Sequence, residues 1–148
     1  MSRSALLSVL VAGGLAVAVS GCGPAGSSAD SAKEFTGAKA DVAQVVDDLQ
    51  DAAQKRDGSK ACKLFAPNLL QVFKTRNQTC KTVLNKNLTD ADTTKMTVKS
   101  VTITGDKATA VVQSDTGKKG SGAKQTNTFT FVKSPSVANG AWQVSSFG

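Results

Sequence analysis

The 148-residue chain carries 18 Lys and Arg against 11 Asp and Glu, a formal charge of +7, with no histidine, no tyrosine, six Phe and one Trp. That composition excludes histidine-based acid–base catalysis and histidine-ligated metal. It also offers no basic stripe interleaved with stacking aromatics, so nucleic acid is not an expected partner.

At the amino end, Arg3 precedes an uncharged apolar run from Ala5 to Val19, and small residues follow. This is the three-part layout of a secretory signal, and the run falls short of the roughly 20 residues a membrane-spanning helix needs. Val19, Ser20 and Gly21 stand directly before Cys22. An aliphatic residue, two small residues and a cysteine resemble the lipobox of bacterial lipoproteins. The resemblance implies cleavage between Gly21 and Cys22, a diacylglyceryl thioether on Cys22, and a protein anchored on the extracytoplasmic face of the cell membrane. Two acyl chains, at about 0.8 kcal/mol per buried methylene, hold stably where one is marginal.

Assigning Cys22 to lipid leaves Cys62 and Cys80, an even pair in a compartment where disulfides persist. A bridge between them closes a loop worth roughly 3 kcal/mol on the chain-entropy relation. No C-x-x-C spacing is present, and two thiolates alone do not complete a tetrahedral metal site. A positive surface beside a membrane is drawn to anionic lipids and cell-wall polymers, through an attraction that salt screens. The next stretch, GPAGSSADSAK, lacks periodicity and reads as a tether, so residues 22–33 are expected to link the anchor to one domain over 34–148. Its length suits one compact domain and not two.

Ser31 and Glu34 form a candidate capping box ahead of a helix that starts near Phe35. Val42, Val45, Val46, Leu49, Ala52 and Ala53 recur at helical spacing, while Asp41, Asp47, Asp48 and Asp51 fall elsewhere on the wheel. Asp57 and Gly58 are expected to end that helix near Arg56, and Ser59 to cap a second one carrying Cys62. Pro67 suits a helical restart, and Thr79 or Asn77 a short last helix carrying Cys80, Val83 and Leu84. The Cys62–Cys80 bridge would thus tie neighbouring helices whose own core is thin.

From Thr93 the pattern changes to the alternation of strands. KMTVKSVTITGDKATAVVQSD reads as two strands around a turn at Gly105 and Asp106. Met96 and Val98 share one phase and Val101 and Ile103 the other, which predicts a bulge near Lys99 and Ser100. A loop, TGKKGSGAK, leads into QTNTFTFVK, a turn at SPSVANG, and AWQVSSF. Phe129 and Phe131 share a face, as do Trp142 and Val144, and four strands in succession predict an antiparallel meander.

Helices followed by a four-stranded sheet, closed by Gly140-Ala141-Trp142-Gln143-Val144, resemble the nuclear transport factor 2-like, or cystatin-like, cone. With the lipobox and the cysteine pair, the chain is similar to small actinobacterial lipoproteins and secreted antigens of this fold. The resemblance implies an α+β domain over roughly residues 36–148, with a curved sheet wrapping the first helix. A pocket between them would be lined by Val46, Leu49, Phe129, Phe131 and Trp142. Enzymes of this superfamily, isomerase-like and dehydratase-like, draw on Tyr, His and Asp, and the first two types are missing here. Asp47 and Asp48 fit the exposed side of a helix, and Asp106 and Asp115 fit turns, so each is expected to be a surface acid.

Other local signals point to no cofactor. Asn77-Gln-Thr79 and Asn87-Leu-Thr89 match a glycosylation pattern that a bacterial lipobox makes coincidental. The loop around Lys118 and Lys119 lacks the order of a P-loop. The expected function is a surface-anchored binding module without catalytic residues, ahead of a carrier of small apolar ligands or a pocket enzyme.

Overall fold

The computed structural model describes residues 30–87, 95–115, 124–135 and 140–148. The lipobox residues Val19, Ser20 and Gly21, together with Cys22, lie outside these, as do Lys118, Lys119 and Thr89. A 3-10 turn at Ser31–Glu34 precedes α1 (Ala38–Gln54), α2 (Gly58–Lys63), α3 (Pro67–Thr75) and α4 (Cys80–Asn87). The strands β1 (Lys95–Thr104), β2 (Lys107–Asp115), β3 (Lys124–Lys133) and β4 (Trp142–Phe147) follow. They pair antiparallel in the order β1-β2-β3-β4, the meander expected from the sequence.

Three helix boundaries depart from expectation, each for a local reason. Ser31 and Glu34 make no capping box: Gly37 precedes α1, and Ser31 is buried against β1. Ser31 is therefore packed into the domain, and the last residues of the expected tether belong to the fold. Arg56, not Gly58, takes the left-handed conformation that closes α1, at φ 54°. Its N–H donates to the Ala53 carbonyl, and that of Asp57 to the Ala52 carbonyl, the bond pair of a Schellman cap. Asn77 closes α3 in the same way.

Asp57, not Ser59, caps α2 by accepting from the Lys60 N–H at 2.9 Å. Gly58 is then free for a close approach, because a Cβ there would strike the Asn85 side chain of α4. Pro67 opens α3 as expected, and Thr79 Oγ1 accepts from the Thr82 N–H at the start of α4.

The predicted bulge lies between Val98 and Ser100, which pair with the consecutive residues Val112 and Val111. Lys99 is thus the extra residue, and its insertion turns Val98 and Val101 to the same side, where both are buried. Gly105 begins the two-residue turn into β2 at φ 58°, a conformation open to glycine. Across the sheet, Phe131 pairs with Ala108 and Phe129 with Ala110. Large rings beside small residues leave room for α1, whose Val42, Ala43, Val46 and Ala52 reach zero exposure against the sheet.

Both outer edges of the sheet are partly covered. At the β1 edge, the Met96 N–H donates to Gln50 Oε1 of α1, and the Val98 N–H to Ser31 Oγ. At the β4 edge, the Ala66 N–H donates to the Val144 carbonyl, and the Val144 N–H to the Leu64 carbonyl, each at 2.8 Å. Phe65 thereby makes a short parallel bridge to Val144. At these positions, strand donors and acceptors that would otherwise template association are satisfied within the chain.

Candidate functional site

The five residues expected to line a pocket between α1 and the sheet are brought together in one cluster. Val46 and Phe131 have zero exposure, and Leu49, Phe129 and Trp142 are each below a tenth. The first two are thus sealed from solvent within the core that helix and sheet share. Phe129 is completed by Phe147, whose ring meets it edge-on at 4.9 Å and meets Phe65 at 5.6 Å.

Trp142 differs from the other four because it also borders an open cleft. The cleft lies between the solvent side of α1, Leu64 and the β3–β4 end of the sheet, and has a volume of about 430 Å³. One wall carries Asp41, Gln44 and Asp48 from successive turns of α1, and the other carries Lys133 and Trp142. Register explains the second wall: Lys133 pairs with Trp142 across β3 and β4, and its ammonium lies 5.4 Å from the indole centroid. Gln44 Nε2 donates to Asp48 Oδ1 at 3.2 Å, orienting that carboxylate. The buried Trp142 Nε1 has no hydrogen-bond partner among the described residues. Acids facing a lysine on an indole, over an apolar floor of Val45 and Leu64, suit a small ligand bearing both charge signs.

Sequence reasoning picked out Trp142 here but not Asp41, Gln44, Leu64 or Lys133 as its companions. The helix period shows that Asp41, Gln44 and Asp48 share a face. The strand register that brings Lys133 to Trp142 has no local signal.

Asp47 corrects the expectation of a surface acid. It is buried within α1, where its Oδ2 accepts from the Ala32 N–H at 2.9 Å and the Ser31 hydroxyl also bonds to the carboxylate. Burial pushes its pKa above the ordinary carboxylate value, opposed by those hydrogen bonds. The acid thus docks the 3-10 turn, whose Ser31 in turn covers β1. One turn on, Asp51 shifts the other way, because hydrogen bonds from Lys55 and Lys60, both at 2.8 Å, hold its pKa down. Asp106 is exposed in its turn and Asp115 half-buried at the end of β2.

Cys62 and Cys80 form the expected disulfide, with Cα atoms 6.0 Å apart, joining α2 to α4. It floors a second cleft of about 400 Å³, bordered by Leu70, Lys74, Gln78, Thr79 and Lys81. Among the described residues, no three His, Cys, Asp or Glu side chains gather as metal ligands, and no helix is long and apolar enough to cross a membrane.

No protein-family model and no curated protein matches the chain. Solved structures do. A candidate ketosteroid isomerase from Shewanella frigidimarina is 18% identical, with a TM-score of 0.52 over 72% of this chain and 92% of that one. A nuclear transport factor 2-like protein of unknown function from Shewanella oneidensis is 14% identical, with a TM-score of 0.52 over 72% of this chain and 93% of that one. At such identities the likeness concerns architecture alone, and the architecture is the nuclear transport factor 2-like, or cystatin-like, α+β fold.

Proposed function

We propose that the protein is a lipid-anchored, extracytoplasmic binding module that takes a small polar ligand in the cleft between α1 and β4. The carrying observation is the facing of Asp41 and Asp48 by Lys133 and Trp142 across about 430 Å³ of open space. An ammonium group would sit between the two carboxylates, and a carboxylate or other acceptor would meet Lys133. A zwitterion or amine-bearing small molecule is the ligand class that satisfies both walls. The reading is non-enzymatic. Asp47, the acid buried beside the core, is engaged in holding the 3-10 turn, and Val46 and Phe131 between α1 and the sheet are fully buried.

Trp142 is the protein's one tryptophan and tyrosine is absent, so intrinsic fluorescence reports the cleft directly. Titration with a panel of amines, amino acids and small anions is expected to give a saturable change for molecules carrying an ammonium group. Asp41→Asn with Asp48→Asn is expected to abolish it. A panel without any saturable response, or a response untouched by those substitutions, overturns the ligand reading. The anchor is tested separately by metabolic labelling with a fatty-acid probe. Label on the wild type that disappears in Cys22→Ser supports it, and an unlabelled wild type overturns it.

A further inference from the structure

The charge of the chain is distributed unevenly along its length. Residues 58–87, which span α2 to α4, contain Lys60, Lys63, Lys74, Arg76, Lys81 and Lys86 and not one Asp or Glu. By contrast, residues 30–57, the 3-10 turn and α1, carry seven acids against four bases. Lys60 turns inward to Asp51. Lys74 and Lys81 border the cleft floored by the disulfide, and Arg76 and Lys86 border an adjoining one of about 280 Å³ that shares Gln78 with it. Four cations therefore ring two neighbouring depressions on one helical surface. The same surface carries apolar side chains, with Leu70 in the first depression and Val83 in the second.

We infer that this α3–α4 surface docks on an anionic lipid bilayer. Lys74, Arg76 and Lys81 would meet phosphate groups in the head-group layer, while the apolar floors of the depressions offer contact at its boundary with the acyl chains. The absence of any acid from Gly58 to Asn87 makes the surface complementary to that layer, whereas the acid-lined face of α1 would be repelled by it. Docking by α3 and α4 uses none of the residues that line the cleft between α1 and β4. The anchor reading serves only to place a bilayer within reach, and the inference stands or falls without it.

The test uses the full chain carrying Cys22→Ser, so that no lipid is attached and the apolar amino-terminal run is common to every variant. Partitioning is measured onto phosphatidylglycerol and phosphatidylcholine vesicles at low and high salt. Each surface cation is expected to contribute about fivefold to partitioning. Lys74→Gln with Lys81→Gln should therefore lower binding to phosphatidylglycerol about twenty-five-fold, and salt should lower the parent's binding. The control is Lys95→Gln with Lys107→Gln, an equal charge loss at exposed sheet positions, which should change it little. All four lysines are on the surface, and unchanged thermal transitions verify folding. Hydrogen exchange should show α3 and α4 amides protected only on the anionic vesicles. Equal loss from both pairs, equal binding to phosphatidylcholine, or no binding to phosphatidylglycerol overturns the inference.

Discussion

Around α1 and the sheet, Val42, Val46, Val98, Val112, Phe131 and Val144 are removed from solvent, whereas α3 has no buried residue and α2 buries only Gly58 and Ala61. The two regions are stabilised by different means. The first rests on apolar area and close packing, which act over many contacts and respond to any loss of volume. The second combines half-buried apolar side chains at the core's margin, Leu69, Leu70, Phe73 and Leu84, with point attachments. The disulfide joins α2 to α4, Gly58 N–H donates to Asn85 Oδ1 at 3.2 Å, and Asn68 Nδ2 donates to the Ser145 carbonyl at 3.0 Å. A layer held at points can leave apolar and basic side chains on its surface, because it does not need them inside.

Removing volume from the first region should produce the largest effect. Phe131→Ala empties the site opposite Ala108 and Val144 and is expected to cost about 3–5 kcal/mol, read as a fall in the denaturant midpoint with one cooperative transition. A cost below about 1 kcal/mol would show that the core tolerates a void there, and the contrast between the regions would weaken. Next is the double substitution Cys62→Ser with Cys80→Ser, expected to cost about 3 kcal/mol through the loop it reopens. Its signature should be local as well as global: amide exchange at Val83 and Leu84 of α4 should accelerate more than at Val112 or Phe129. Uniform acceleration would mean that the helical layer and the sheet open as one unit.

The same contrast governs what the sequence revealed. Strands and α1 were legible because their partners are many and periodic: the alternation of β2, the phase change at Lys99, and the Val42–Val46–Leu49 spacing all follow from having one buried face. The disulfide was legible from cysteine arithmetic once Cys22 was set aside. What escaped depends on single contacts between distant segments. Asp47 sits among acids that do face solvent, and nothing local separates it from Asp48. Only the arrival of Ala32 and Ser31 makes it an interior residue. Arg56 in a left-handed cap escaped because Gly58, two residues on, is the better glycine candidate by propensity. The close approach of Asn85 claims that glycine instead. Of the candidate cleft, the α1 wall was implicit in helix geometry, while Lys133 required the β3–β4 register.

The smallest effect, and the sharpest on the border between the regions, concerns Asp47. Asp47→Ala leaves the Ala32 N–H without its acceptor and frees Ser31 from the carboxylate, which should cost about 1–3 kcal/mol, the usual penalty for orphaning such a group. Asp47→Asn keeps an acceptor and removes the charge, so it isolates the titration. Because burial raises the Asp47 pKa, the folded protein binds the proton more tightly than the unfolded chain between the ordinary value near 3.8 and the raised one. Through that window wild-type stability contributed by this group falls as pH rises, and the shortfall persists above it. Asp51 runs oppositely: its pKa is lowered, so its contribution is present above the ordinary value and is lost as pH falls through the lowered one. Melting temperatures of wild type and Asp47→Asn, compared from pH 4 to pH 7, should therefore shift in favour of the variant as pH rises. Subtracting the two curves removes Asp51, which both proteins share. A difference that stays flat with pH would mean that the Asp47 carboxylate is solvated in the folded state, and that the 3-10 turn does not seal it against β1.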